Sequence, residues 1–112
     1  MRILEFEVNG QVLRRTNEAE KIVAGSKNYL VCNFKIADHD WIGKKMVAVF
    51  NDDAVAVKQN LCKVPESVEN KKSFKVQLVG ADEKGERIVT NKTYEYVIKS
   101  LRFRPVIVRS AL

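Results

Sequence analysis

The sequence predicts an all-β fold, an antiparallel β-sandwich of seven to nine short strands, and three observations carry that expectation. Apolar residues recur with a period of two, not 3.6, through most of the chain. Turn signals rich in Asn, Asp and Gly return at intervals of roughly 8–12 residues. The length of 112 residues, with 46% hydrophobic and 30% charged residues, suits a single globular domain with one core. A small closed barrel is the alternative.

The elements follow in order. In residues 3–8, Leu4, Phe6 and Val8 alternate with Ile3, Glu5 and Glu7, the pattern of a half-buried strand. Asn9-Gly10 comes next, then Gln11–Arg15; Asn-Gly accepts positive φ at both central turn positions, so a tight hairpin is expected. Residues 16–23 have a weak helical look, with Thr16 or Asn17 as a cap, and are read as a loop or a single turn. Residues 29–37 place Leu30, Cys32, Phe34 and Ile36 inward. Residues 46–50 and 54–58 flank the turn Asn51-Asp52-Asp53. A short strand over 61–64 is ended by Pro65, which cannot donate to a ladder. Residues 73–80 set Phe74, Val76 and Leu78 on one face and Lys75, Gln77 and Val79 on the other. Asp82–Gly85 forms a hairpin loop, and strands over 86–91 and 92–99 continue the ladder. Leu101–Val108 is a last segment, confined by Pro105 to an edge or bulge. Residues 1–100 thus make one domain, and 101–112 a basic edge segment of it.

Twenty Lys and Arg face fourteen Asp and Glu, for a net charge of +6. Residues 1–56 carry eight of each sign, whereas 57–112 carry twelve basic and six acidic, so the whole excess lies in the second half. Lys99, Arg102, Arg104 and Arg109 gather near the end, around Phe103, without a side-chain acid. These five residues form a candidate partner contact for an acidic surface, while a solvated basic edge that resists aggregation is the plainer reading. The start of the chain puts acids where a signal peptide needs an apolar block, and no apolar run approaches the roughly 20 residues of a membrane span. Synthesis in a cytoplasm and no membrane association are expected.

No catalytic, cofactor-binding or metal site is read from the chain. It has no GxSxG, no Gly-rich phosphate loop and no HExxH. Cys32 and Cys62 are outside any CxxC pair and read as buried free thiols; one histidine, His39, cannot complete a zinc site with them in a familiar spacing. Asp38-His39-Asp40 reads as a polar loop. Trp41 reads as core or boundary packing, with sugar stacking as the other use; Tyr94 and Tyr96 share a strand face and are the further stacking candidates. Nucleic-acid binding through aromatic and basic residues is the lesser expectation, since no recognisable signature accompanies them.

Several segments in order carry a resemblance. They are Gly25-Ser26-Lys27-Asn28-Tyr29-Leu30, the strand with Cys32 and Phe34, Trp41, Ala48-Val49-Phe50, Cys62–Val68, Phe74–Gly80 and Arg87-Ile88-Val89-Thr90-Asn91. This order resembles a family of small immunoglobulin-like domains of tailed bacteriophages and prophages of Gram-positive hosts, among them the N-terminal domains of baseplate upper proteins and head-fibre components. The likeness spans residues 3–100; Cys-x-Val-Pro-Glu at 62–66 and Arg-Ile-x-Thr-Asn at 87–91 are its more specific parts. It implies an immunoglobulin-like sandwich and a non-enzymatic structural role in the virion, at a tail, baseplate or capsid surface, after synthesis in the host cytoplasm. The partners it implies are other phage structural proteins or further copies of the chain. Alternatives are adhesion to a host cell-surface glycan or polyanion, and an intracellular phage effector that binds a host protein or nucleic acid through the basic half.

Overall fold

The computed structural model describes residues 1–17, 21–69 and 71–98. It is all-β: ten strands and one short helical turn among the described residues. The strands are β1 (Arg2–Asn9), β2 (Val12–Arg15), β3 (Ile22–Val23), β4 (Leu30–Ile36), β5 (Lys45–Phe50), β6 (Asp53–Val57), β7 (Leu61–Lys63), β8 (Ser73–Ala81), β9 (Arg87–Val89) and β10 (Thr93–Ile98). The turn α1 (Glu66–Glu69) follows Pro65 and seats Val68 in the core. The chain's terminal basic segment, with Lys99, Arg102, Phe103, Arg104 and Arg109, lies outside the described residues.

A four-stranded sheet has the order β2-β1-β4-β7, and a six-stranded sheet the order β3-β10-β8-β5-β6 with β9 also on β8. Both are mixed, which corrects the antiparallel expectation. β1 and β4 run parallel over seven pairs from Arg2↔Leu30 to Val8↔Ile36, and β3 runs parallel to β10. Alternation shows which residues face inward but not the direction of the strand beside them, because both pairings share a period of two. The inward sets meet in one core. Leu4, Phe6, Val8, Cys32 and Phe34 come from the first sheet, and Ala48, Phe50, Phe74, Val76 and Leu78 from the second. Phe6 and Phe34, neighbours across the parallel pair, stack at 5.3 Å between centroids.

The sheets are stitched together on both sides, giving a half-barrel. On one side the chain passes from β6 to β7 through Lys58↔Leu61, whose N–H and C=O groups exchange two 3.0 Å bonds. Gln59 and Asn60 between them both take positive φ, 53° and 65°, as the tightest twist-compatible hairpin turn requires. On the other side Asn91 acts as a piece of strand. Its Nδ2 donates to Leu13 O and its Oδ1 accepts from Leu13 N, at 3.0 and 2.7 Å. Nearby, Arg15 of β2 pairs with Glu95 of β10. Thr90, one residue earlier, closes the kink between β9 and β10: its hydroxyl accepts from Leu78 N and donates to Asn91 O. The Arg-Ile-x-Thr-Asn segment is therefore a splice between sheets.

The β1–β2 turn centres on Gly10 and Gln11, because Asn9 pairs with Val12. Only Gly10 takes positive φ there, so the turn lies one residue later than Asn-Gly chemistry suggests. Trp41 anchors it. The indole Nε1 donates to Gly10 O at 2.9 Å, and the ring lies so close over Gly80 that an added Cβ would stand 2.7 Å from Cζ3. Cys32 and Cys62 are buried free thiols on directly opposed residues of β4 and β7. The hydrogen bond to Cys62, then burial, holds the Cys32 thiol well above its ordinary value, which keeps it unreactive.

Candidate interaction surface on the six-stranded sheet

The two outer faces of the molecule differ in chemistry. On the four-stranded sheet the outward positions are largely polar and paired. Asn33 donates to Glu5 across β1 and β4 at 3.0 Å, and Arg14 meets Glu7 across β1 and β2 at 3.2 Å. Apolar outward residues gather at one corner, where Met1, Ile3, Val31 and Leu61 line a groove, with Val12 alone at the far edge on β2.

The six-stranded sheet is different. Its register places Ala56, Val47, Val79 and Val89 in a single row across β6, β5, β8 and β9. The adjacent row is Ala54, Val49 and Gln77. These side chains alternate with the core set of the same strands, so they stand on the side away from the core. Ala54 and Ala56 are exposed; Val47, Val49, Val79 and Val89 are half-buried by their own neighbours. A sheet with one free face ordinarily turns polar residues outward. Here β5 is apolar on both faces, from Met46 to Phe50.

Tyrosines continue the surface along β10. Tyr94 lies opposite Lys75, and Tyr96 opposite Ser73. Tyr96 is 74% exposed, and with Tyr94, Ile98 and Val23 it extends the apolar and aromatic area toward the end of the sheet. The Lys75 ammonium sits 5.8 Å from the centre of the Tyr94 ring. At the opposite end the rows open into a cleft of about 550 Å3 between the loop at Ile42-Gly43 and the β8–β9 hairpin, where Ile42 is 68% exposed. Lys44 ties these walls together. Its Nζ reaches Glu86 at 2.6 Å, Asp82 at 3.7 Å and the Asp40 carbonyl at 2.7 Å. Asp82 is held below its ordinary range, first by the backbone N–H of Glu86.

The charged side chains that the strands place on this face are all basic: Lys45, Lys75 and Arg87. Asp82 and Glu83 belong to the hairpin at the cleft's far wall, and Asp82 is engaged with Lys44.

Of the stacking candidates, the structure brings Tyr94 and Tyr96 to this surface and removes Trp41 from it. Trp41 is 4% exposed, with its ring against Gly80 and its one donor spent on Gly10, so it offers no platform to a sugar. Asp38 caps the same turn by accepting from Gly10 N. The valine and alanine rows are absent from the residues singled out by sequence. The available signal was the apolar run over 46–50, but aligning four strands into rows needs a register that alternation does not carry.

Among the described residues, no helix is long and apolar enough to cross a membrane. Compared with models of known protein families, with curated proteins and with solved structures, the chain matches none.

Proposed function

We propose that the chain is a non-enzymatic, immunoglobulin-like sandwich module of a tailed-phage particle, a tail, baseplate or capsid-surface component that works by protein–protein contact. The observation that carries this reading is the outer face of the six-stranded sheet. Large apolar areas on one sheet face of a small domain mark surfaces that are covered in use. The two-sheet core with Trp41 packed inside, and the order of segments over residues 3–100, support the immunoglobulin-like assignment. The terminal segment with Lys99, Arg102, Phe103, Arg104 and Arg109 remains the candidate for a second contact, by strand addition.

Mass spectrometry of purified particles from the source tests this reading. Many copies of the chain per particle are expected. Absence from particles, with abundance in the infected cell, would overturn it in favour of an intracellular effector. Adhesion to a glycan has one observation in its favour, the exposed Tyr94 and Tyr96. It requires chemical-shift changes at those tyrosines on adding cell-wall saccharides.

A further inference from the structure

The charged side chains that the strands themselves place on the apolar face have one sign, whereas the acids Asp82 and Glu83 belong to the hairpin beyond it. Lys45 and Arg87 stand beyond one end of the valine rows, in register through Ala81, and Lys75 stands beyond the other beside Tyr94. We propose that this face takes a partner protein whose own surface is apolar at its centre and bears carboxylates at its margin. The proposal rests on the reading of the face as a docking surface and adds the chemistry of its occupant. Rows of short Val and Ala side chains fit a facing sheet at about 10 Å, the ordinary spacing of two packed sheets. The basic margin then selects among such partners, because charge complementarity discriminates partners and speeds encounter more than it deepens affinity.

Two other occupants fit less well. A second copy would set Lys45, Lys75 and Arg87 against themselves, and like charges brought together at a contact disfavour it. A nucleic acid needs aromatic platforms spaced along a basic groove. Here the aromatics are confined to one end, and the middle of the face is aliphatic.

The test uses the chain itself as the probe. A variant carrying Lys45→Glu, Lys75→Glu and Arg87→Glu presents the same apolar rows inside a carboxylate margin. Mixed with the natural chain at about 0.05 M salt, it should form a one-to-one complex by sedimentation velocity, while each alone remains monomeric. The complex should weaken by about tenfold or more at about 0.5 M salt, and Val79→Lys in either member should abolish it. A neutral variant, Lys45→Gln with Lys75→Gln and Arg87→Gln, covers the case in which charge reversal prevents folding. It should self-associate at least about tenfold more tightly than the natural chain.

Self-association of the natural chain through Val79 at low salt would overturn the proposal, since a second copy would then cover the face. So would the absence of a mixed complex with a folded charge-reversed variant, or a neutral variant that associates no better than the natural chain. Binding of a thymidine oligonucleotide that is lost with Tyr94→Ala and Tyr96→Ala would replace a protein by a nucleic acid. Failure of the underlying reading looks different: a chain with Val79→Lys would enter particles as well as the natural one.

Discussion

Two single residues set how closely the halves of this molecule approach. Gly80 leaves room for Trp41, with ring carbons 2.7 and 2.8 Å from where a Cβ would stand. Gly80→Ala should destabilise the fold by about 1–3 kcal/mol, the usual range for overpacking, and shift Trp41 emission to the red as the indole loosens. Unchanged stability and emission would show that the ring moves aside freely. Asn91 substitutes for a strand against Leu13. Asn91→Ala should cost about 1–2 kcal/mol by chemical denaturation, and Asn91→Asp, which sets a carboxylate oxygen against the Leu13 carbonyl, should cost at least as much. The turn chemistry of the sequence, Asn and Gly at 9–10, locates the first hairpin but misses its centre by one residue. Pairing of Asn9 with Val12, supported by Trp41 and Asp38 on Gly10, decides the centre instead.

At the scale of elements, the link between β2 and β10 has a definite pH signature. Burial holds the Glu95 carboxyl above its ordinary 4.5, against the pull of Arg15 and Arg2. An acid whose folded pKa is raised favours the fold most below the unfolded value and loses that contribution as pH rises through the folded one. Stability of the natural chain relative to Glu95→Gln should therefore increase on going from about pH 7 to about pH 4. Denaturant titrations of both chains at the two pH values measure it, and a flat or opposite difference would contradict it. Most strands were legible because each buries one face and shows the alternation plainly, as in 30–36 and 73–81. The parallel partnership of β1 and β4 was not, since the partner is chosen by the core and not by the local pattern. β3 was missed because two residues, Ile22 and Val23, are too few to show a period. The β6–β7 turn was missed because Gln59 is no usual residue for positive φ.

At the scale of the whole molecule, the outer faces of the two sheets differ in chemistry. One sheet satisfies its outward polar groups across strands, through Glu5–Asn33 and Glu7–Arg14. The other presents rows of Val and Ala flanked on the strands by Lys45, Lys75 and Arg87. The net charge of +6 was readable from composition, but the placement of Lys45, Lys75 and Arg87 beside the apolar rows was not, because that needs the strands in register. The claim that this face is covered in use can be measured directly. Ala56→Cys places an exposed thiol in the row with Val47, and Lys35→Cys places one on the opposite sheet; Cys32 and Cys62 stay buried. Both variants are labelled with a maleimide, first as free chain and then in purified particles. Position 56 should react in the free chain and be protected in particles, while position 35 should not gain the same protection. Equal labelling of position 56 in both states would contradict it.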